Sequence, residues 1–398
     1  KASVHHAIAR NKLNAATIIY LILHKQNYIF MRKHFIDNLR WFTILCVLVY
    51  HVFYNYNAEG VFGSIGKFTD IQYQDAIQYI LYPWFMSLLF LVSGISCRYA
   101  LNTRSEKEFI NSRIQKLLIP STIGLFVFQW ILGLLNSINY INSAELQKVP
   151  FFVIYLICVG SGTGPLWFIQ ILLPYSLICV LLHKIHPQPL KEPQLSKPLS
   201  KLLWGAGLTI GGFLLLWGAA QSQIDNPSTA QGLFNLYRPL YYIVPFLLGY
   251  YIFSLDSIQA FLQKLHLPLL ILALGGAVAY TWHYFGTDYT SPSCLQSIWT
   301  SLYGWTAILA LLANFKKYAD KTSPLANYLT RSSYGIYIVH MTICTGISLI
   351  MIKSGLPIAC IYTINIIITF AGSIGLYELL RRIPILNWCI FGIKNNKK

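Results

Sequence analysis

The chain has 398 residues, of which 55% are hydrophobic and only 11% are charged, and its mean hydropathy is +0.52. This composition excludes an ordinary soluble globular domain and is typical of an integral membrane protein. The formal net charge of +17 would suggest nucleic acid as a partner in a soluble domain. In a membrane protein its meaning depends on which side of the spans the Lys and Arg residues fall.

Ten apolar segments separated by polar breaks predict an all-α, polytopic helical bundle with about ten transmembrane helices. They lie near residues 39–58, 77–99, 117–137, 165–183, 202–220, 239–254, 267–285, 298–315, 333–352 and 358–380. If the first span starts on the cytoplasmic side, all but four of the 30 Lys and Arg residues are cytoplasmic. The exceptions are Lys67, Lys148, Arg238 and Lys353. Positive loops resist translocation, so both termini are predicted to be cytoplasmic, and no nucleic-acid partner is predicted.

The segments before and between the spans indicate a single domain. Residues 1–30 contain no clean apolar core followed by a cleavage site, so no cleavable signal peptide is predicted. MRKHF, 31–35, resembles a natural beginning, with a short basic head directly before the first span, so residues 1–30 are expected to be a dispensable leader. An amphipathic surface helix over residues 13–23 is the alternative. Residues 31–398 are predicted to form a single transmembrane domain, in which a Pro- and Lys-rich linker, 187–198, joins the fourth and fifth spans.

Residues 149–168 are apolar but interrupted by GSGTGP. Such a segment is a re-entrant half-helix, a loop folded onto the bundle, or a plain turn before the fourth span, because bare backbone cannot face lipid. The eight cysteines are scattered and form no CxxC pair, which favours their use as small apolar fillers. No HExxH motif and no close His pair within a span is present, so no metal site is predicted.

The stretch FIDNLRWFTILCVLVYHVFYNYN, residues 35–57, reads as a span that carries a basic residue and a histidine. Arg40 and His51 are eleven positions apart, which puts them on one helical face about 16 Å apart along the axis. Asp37 and Asn55 extend this polar stripe in both directions. Snorkelling of Arg40 and a hydrogen-bonded core His51 are the plain alternatives. For the aligned set, a pathway or a site is favoured, because ionisable groups inside a span are costly.

The stripe suits a long substrate with an anionic head at the cytoplasmic surface and a reactive end inside the membrane, and acyl-CoA has this shape. An imidazole desolvated within the span stays neutral, so His51 could accept a proton from an attacking hydroxyl.

The same stretch closely resembles the opening motif of the acyltransferase 3 family of membrane O-acyltransferases, in which an Arg, ten residues and a His stand on the first span. Within this family, the chain most resembles the subgroup that contains glucan biosynthesis protein C. Other stretches are similar to further family motifs: FLVSGISCRYAL (90–101), RIQKLLIP (113–120), GPLWFIQILLPY (164–175), SYGIYIVH (333–340) and LYELLRR (376–382).

The resemblance implies a cytoplasmic acyl-CoA donor, bound as a substrate and not as a tight cofactor, and an extracytoplasmic carbohydrate hydroxyl as acceptor. It also implies that His51 is the catalytic base and that Arg40 binds the donor or the transition state. Arg113 and Lys116 would contact the CoA phosphates. Lys116 stands where the family has an Arg, which puts a bidentate contact there in doubt.

Other matched residues have weaker support from the sequence alone. Ser333, Tyr337 and His340 share one helical face about 10 Å long. On the span map His340 is predicted to lie shallower than His51 on the inner side, and a core histidine is its favoured interpretation. Trp167 is a packing aromatic or an adenine-stacking residue. Glu378 is expected to pair with Arg381 or Arg382, or with a basic residue of the donor site.

The sequence therefore predicts an acyltransferase in the inner or plasma membrane that uses acetyl-CoA or succinyl-CoA. A transporter that uses the stripe as a proton or anion path is the competing hypothesis. A degenerate acyltransferase that only binds carbohydrate is a third. The sequence does not select an acceptor, an oligomeric state, or direct transfer over an acyl-enzyme.

Overall fold

A computed structural model describes residues 33–57, 68, 70–141, 149–186, 190–224 and 228–394. The predicted leader, 1–30, lies outside this part of the chain. Within it, the regular elements are helices and no strand is present. An all-helical membrane fold is confirmed.

We number the α-helices in chain order. They are α1 His34–Tyr54, α2 Ala76–Leu81, α3 Phe85–Thr103, α4 Glu106–Arg113, α5 Ile119–Gly124, α6 Trp130–Ile141, α7 Phe151–Ser161, α8 Leu166–Ile185, α9 Pro198–Ala206, α10 Gly212–Ala220, α11 Thr229–Tyr237, α12 Pro239–Leu248, α13 Asp256–Lys264, α14 His266–Tyr284, α15 Pro292–Leu295, α16 Ile298–Tyr318, α17 Pro324–Met351, α18 Ile358–Leu380 and α19 Pro384–Phe391. Two π-helical segments, Ile114–Leu118 and Leu125–Gln129, join α4, α5 and α6 into one long helix.

Nine helical segments of the described chain are long and apolar enough to cross a membrane. A tenth is formed if Gln231–Phe253 and Asp256–Lys264, which meet at a 98° bend, count as one broken span. This agrees with the ten predicted spans. Some spans extend well beyond their apolar windows, because polar turns at the inner surface continue the helix.

Contacts between helices join residues that the charge pattern places on the same side of the membrane. On the predicted cytoplasmic side, called inner below, the Lys184 ammonium lies 3.4 Å from the Glu106 carboxylate. On the opposite, outer side, the Tyr362 hydroxyl donates to the Asp75 carboxylate over 2.6 Å. The up-and-down alternation of the predicted spans is therefore compatible with the packing.

The interrupted segment before the fourth span is a short helix folded along α6. Helix α7 runs beside α6, and a four-residue turn then leads into α8. A Cβ at Gly162 would lie 2.1 Å from the carbonyl oxygen of Gln129, and Gly164 has a φ of +39°. Both glycines are required here, one for close approach and one for a left-handed turn. The segment is therefore helical, as in the half-helix alternative, and is not a loop or a plain turn.

All eight cysteines are free thiols, and six of them are buried, as expected of small apolar fillers; Cys46 is half-buried and Cys360 is exposed. Cys294, on α15, is buried, and its Sγ lies 3.4 Å from the hydroxyl of Tyr280.

Two spans pack closely where α3 crosses α12 and the π-helical segment that follows it, and this packing depends on glycine. A Cβ at Gly94 would lie 1.9 Å from the carbonyl oxygen of Phe246. On the facing helix, a Cβ at Gly249 would lie 2.1 Å from the carbonyl oxygen of Leu91. Small residues of this kind let helix backbones approach each other in membranes.

We expect Gly94→Ala to destabilise the protein by about 1–3 kcal/mol or more, since the added methyl group meets backbone that cannot move aside. The thermal unfolding midpoint of the purified protein in detergent measures the effect. Gly275→Ala is the matched control, because nothing lies within 4 Å of a Cβ there. An equal midpoint for the two variants would contradict the close contact.

Candidate active site

Two histidines from different spans meet inside the bundle. The Nε2 of His340, on α17, lies 3.1 Å from the Nδ1 of His51, on α1. Their ring centroids are 5.0 Å apart. His340 has no solvent exposure, and His51 is half-buried. This contact was not predicted from the sequence.

The prediction that His340 lies shallower than His51 is wrong. The apolar window for this span starts at residue 333, but α17 begins at Pro324, where Ser323 caps it. His340 is sixteen residues into α17, about 24 Å along the axis, and His51 is seventeen residues into α1, about 26 Å. Both helices start at the inner side, so the two side chains reach the same depth.

The partners of the two rings fix where their protons lie. The Nδ1 of His340 is 2.5 Å from the carbonyl oxygen of Tyr337. A carbonyl can only accept, so this Nδ1 carries a hydrogen and the Nε2 of the neutral ring has a lone pair. The Nδ1–H of His51 then donates to that lone pair. The Nε2 of His51 is left with a lone pair of its own, as a general base requires.

Tyr337 is itself fixed by the four-residue turn that precedes α8. Its hydroxyl donates to the carbonyl oxygen of Pro165 over 2.5 Å. The next residue on α17 is Ile338, whose carbonyl oxygen accepts a hydrogen bond of 2.8 Å from the side-chain amide of Gln129, the last residue of the second π-helical segment. These bonds hold the backbone that carries His340. Neither Gln129 nor Pro165 was predicted as part of the site.

Tyrosines cover the histidine pair. The ring of Tyr50 lies 5.2 Å from that of His51, and the ring of Tyr54 lies 5.9 Å from it. Tyr82, on the turn before α3, is 5.8 Å from Tyr50. Tyr54 and Tyr82 are half-buried. A half-exposed aromatic surface beside a base can receive a substrate that has both polar and apolar faces.

Arg40 is fixed at the inner part of α1. Its guanidinium forms a salt bridge of 3.3 Å with Asp37 and donates to the hydroxyl of Ser96, on α3, over 2.5 Å. The Arg40 side chain is 35% exposed to solvent. The predicted polar stripe thus exists as an ion pair at one end of α1 and a histidine at the other, with Ser96 as an addition.

The predicted donor residues Arg113 and Lys116 belong to a group of four cations that we call the inner basic cluster: Arg40, Arg104, Arg113 and Lys116. Lys116 lies within electrostatic range of the three guanidinium groups. Arg113 stacks over the ring of Phe109 at 4.5 Å, and its buried Nε has no hydrogen-bond partner among the described residues. Arg104 was missed, although it lies only three residues after the end of the CRYAL motif in the sequence.

Trp167 is not placed to stack on an adenine beside this cluster, which corrects that prediction. It lies at the start of α8, seventeen residues and about 25 Å from Lys184, whose ammonium pairs with Glu106 at the start of α4. Its ring packs 5.6 Å from Tyr242. Trp167 is therefore a packing aromatic at the depth of the Pro165 turn.

The remaining predicted residues are structural in this arrangement. The amide of Asn55 donates to the hydroxyl of Ser348 over 3.0 Å, which ties α1 to α17 instead of extending the stripe toward a substrate. Ser333 is buried on α17, one turn to the inner side of Tyr337. Glu378 accepts from Arg381 over 2.7 Å, as predicted. Among the described residues, no three His, Cys, Asp or Glu side chains form a metal-binding group.

Comparison with known proteins gives one match that covers most of the chain. The model of the acyltransferase 3 family, described as an acyltransferase domain, matches residues 33–378. The chain belongs to the acyltransferase 3 family. No curated protein and no solved structure matches it.

Family membership makes the protein a multi-pass membrane acyltransferase. The matched residues contain both histidines and all four residues of the inner basic cluster. They also contain the Tyr337 carbonyl and the Gln129 amide that support the pair.

Proposed function

We propose that this acyltransferase moves an acetyl group, or another short acyl group such as succinyl, from cytoplasmic acyl-CoA to a hydroxyl of an extracytoplasmic carbohydrate. It would act in the inner or plasma membrane. The observation that carries the proposal is the placement of the histidine base on α1 about 16 Å along the axis from Arg40, the member of the inner basic cluster that lies on the same helix. A substrate with a polyanionic head and a thioester at the far end of an extended arm fits this spacing.

The inner basic cluster supports a phosphate-bearing donor. Its four cations are opposed by the Asp37 carboxylate, paired with Arg40, and by Glu108, which lies within electrostatic range of Arg104. An excess of positive charge therefore remains at the inner mouth of the bundle. Guanidinium groups bind phosphate oxygens through paired, charge-assisted hydrogen bonds.

The histidine pair supports general-base catalysis of acyl transfer. The Nε2 of His51 takes the proton of the acceptor hydroxyl as its oxygen attacks the thioester carbonyl carbon. When the carbon–sulfur bond breaks, the CoA thiolate leaves and the proton on His51 passes to the sulfur. His340 accepts from the Nδ1–H of His51 throughout, which holds the ring and stabilises its charged form.

The half-buried Tyr54 and Tyr82 support a carbohydrate acceptor, because aromatic faces and hydroxyl groups together suit a sugar ring. A glucan, as in the subgroup that the sequence resembles, is one candidate. Mass spectrometry of cell-envelope carbohydrate from cells with and without the protein tests the proposal. Loss of an acyl ester in its absence is expected, and an unchanged acylation pattern would contradict it.

CoA binding separates the enzyme from a transporter that uses the same polar stripe. We expect CoA and acetyl-CoA to raise the thermal unfolding midpoint of the purified protein in detergent, because a ligand that binds only the folded state stabilises it. Unchanged midpoints at millimolar ligand would favour the transporter.

We expect Arg113→Ala to weaken CoA binding about 10- to 100-fold, since a hydrogen bond to a charged group contributes about 1.5–3 kcal/mol. Dissociation constants from calorimetry measure the change. Lys201→Ala is the control: it removes an exposed positive charge at the inner end of α9, away from the cluster. If both variants bind CoA like the parent, Arg113 has no role in holding the donor.

A further inference from the structure

Arg238 is a buried cation on the outer side that none of the chemistry above uses. It stands between α11 and α12 and is only 6% exposed. It has a left-handed backbone, with φ 45° and ψ 51°, which a residue with a side chain rarely adopts. Pro239, the first residue of α12, disfavours a helical conformation for the residue before it and so contributes to this geometry.

The guanidinium of Arg238 lies among tyrosine side chains. It lies 3.9 Å from the ring centroid of Tyr241 and 5.7 Å from that of Tyr242. It also lies within electrostatic range of Tyr82.

No Asp or Glu of the described chain forms a salt bridge with Arg238. Its Nε is buried and lacks a hydrogen-bond partner within the described ranges. Asp288, on the outer loop nearby, instead accepts from the backbone N–H and the hydroxyl of Thr290 at 2.8 and 2.6 Å. A buried charge of this kind is normally paired, so an orphaned one inside a membrane protein indicates a partner that arrives with a ligand.

Arg238 lies on the histidine side of the bundle, away from the inner basic cluster. Tyr82, its electrostatic neighbour, is 5.8 Å from Tyr50, whose ring is 5.2 Å from that of His51. In the other direction, Asp256 pairs with Lys33 at the inner start of α1. Arg238 is fifteen residues, about 22 Å along the helix, from Phe253, which lies just before the bend that leads to Asp256, so it does not reach the donor phosphates.

We propose that Arg238 binds a carboxylate of the substrate on the outer side of His51. The planar guanidinium, with a free Nε, can donate two parallel hydrogen bonds to one carboxylate. This inference rests on the proposed function, because it assigns a charged group to one of the two reactants of the same transfer. The carboxylate is either the distal group of a dicarboxylic acyl chain or an acidic group of the carbohydrate.

Two pairs of probes distinguish these sources. Succinyl-CoA and butyryl-CoA have acyl chains of the same length and differ in the distal carboxylate. Methyl glucuronide and methyl glucoside differ in the same way on the acceptor. We expect the parent protein to prefer the carboxylate-bearing member of one pair by about 10- to 100-fold, in donor affinity or in kcat/KM for acyl transfer.

Arg238→Gln is expected to abolish that preference and to leave the affinity for CoA itself unchanged. Arg238→Lys keeps the positive charge but loses the planar guanidinium donors, so this variant should retain only part of the preference for the carboxylate. Lys353→Gln removes an exposed positive charge on the outer side and should change nothing. Without ligand, the thermal midpoint of Arg238→Gln should match or exceed that of the parent, because no protein carboxylate loses its partner.

A parent protein that binds CoA but shows no carboxylate preference in either pair would overturn the assignment of Arg238. A preference that survives Arg238→Gln would do the same. A parent protein that binds neither CoA nor acyl-CoA would instead contradict the proposed function, so the two failures are distinguishable.

Discussion

Replacing His51 with alanine should reduce the rate of acyl transfer by about 10²- to 10⁴-fold, the range that a positioned general base contributes. The effect should fall on kcat. His51 lies about 16 Å along α1 from Arg40, so the affinity for the donor should stay close to that of the parent. Initial rates with acetyl-CoA and a carbohydrate acceptor, together with CoA affinity by calorimetry, measure both quantities.

The exposed His283, near the outer end of α14, provides the matched control. His283→Ala removes the same side chain from the same protein and should leave the rate unchanged. A His51→Ala protein that binds CoA normally and transfers acyl groups at the parental rate would rule out His51 as the base.

Replacing His340 should show whether this residue positions the His51 ring or only fills space in the bundle. His340→Leu leaves the Nδ1–H of His51 without an acceptor, so the ring is free to turn or to change tautomer. We expect a loss in kcat of about 10²-fold or more, by analogy with the loss seen when the residue that orients a catalytic histidine no longer accepts its proton. Steady-state kinetics with a saturating donor measure it.

His340→Gln is the conservative variant, because its side-chain oxygen can accept the same hydrogen bond. It should recover most of the rate that His340→Leu loses. Equal rates for the two variants would mean that His340 acts only through its volume. Equal rates for the parent and His340→Leu would remove it from the site altogether.

The fold was largely predictable because a membrane span is a local property. Apolar length and the placement of positive residues identify a span without knowledge of its neighbours. The stripe of Arg40 and His51 was predictable for the same reason, since both residues lie on one helix. Span limits were less accurate where a polar first turn, such as that from Pro324, continues a helix beyond its apolar window.

The site was only partly predictable, because its decisive contacts join distant parts of the chain. His51 and His340 are separated by 289 positions. Helical periodicity shows on which face of its helix each histidine lies. It does not show which residue of another helix that face contacts. Arg104 could have been found from its place after the CRYAL motif, whereas Gln129 depends on a π-helical segment for which the sequence has no clear signal.

The two π-helical segments between Arg113 and Trp130 each insert extra backbone into a helix that connects the donor side to the histidine side. Deleting one residue there would rotate all that follows by about 100° and shift it by about 1.5 Å. The amide of Gln129 would then turn away from Ile338. In this helix the number of residues matters as much as their identity, so related chains should tolerate substitutions between 114 and 129 far better than insertions or deletions.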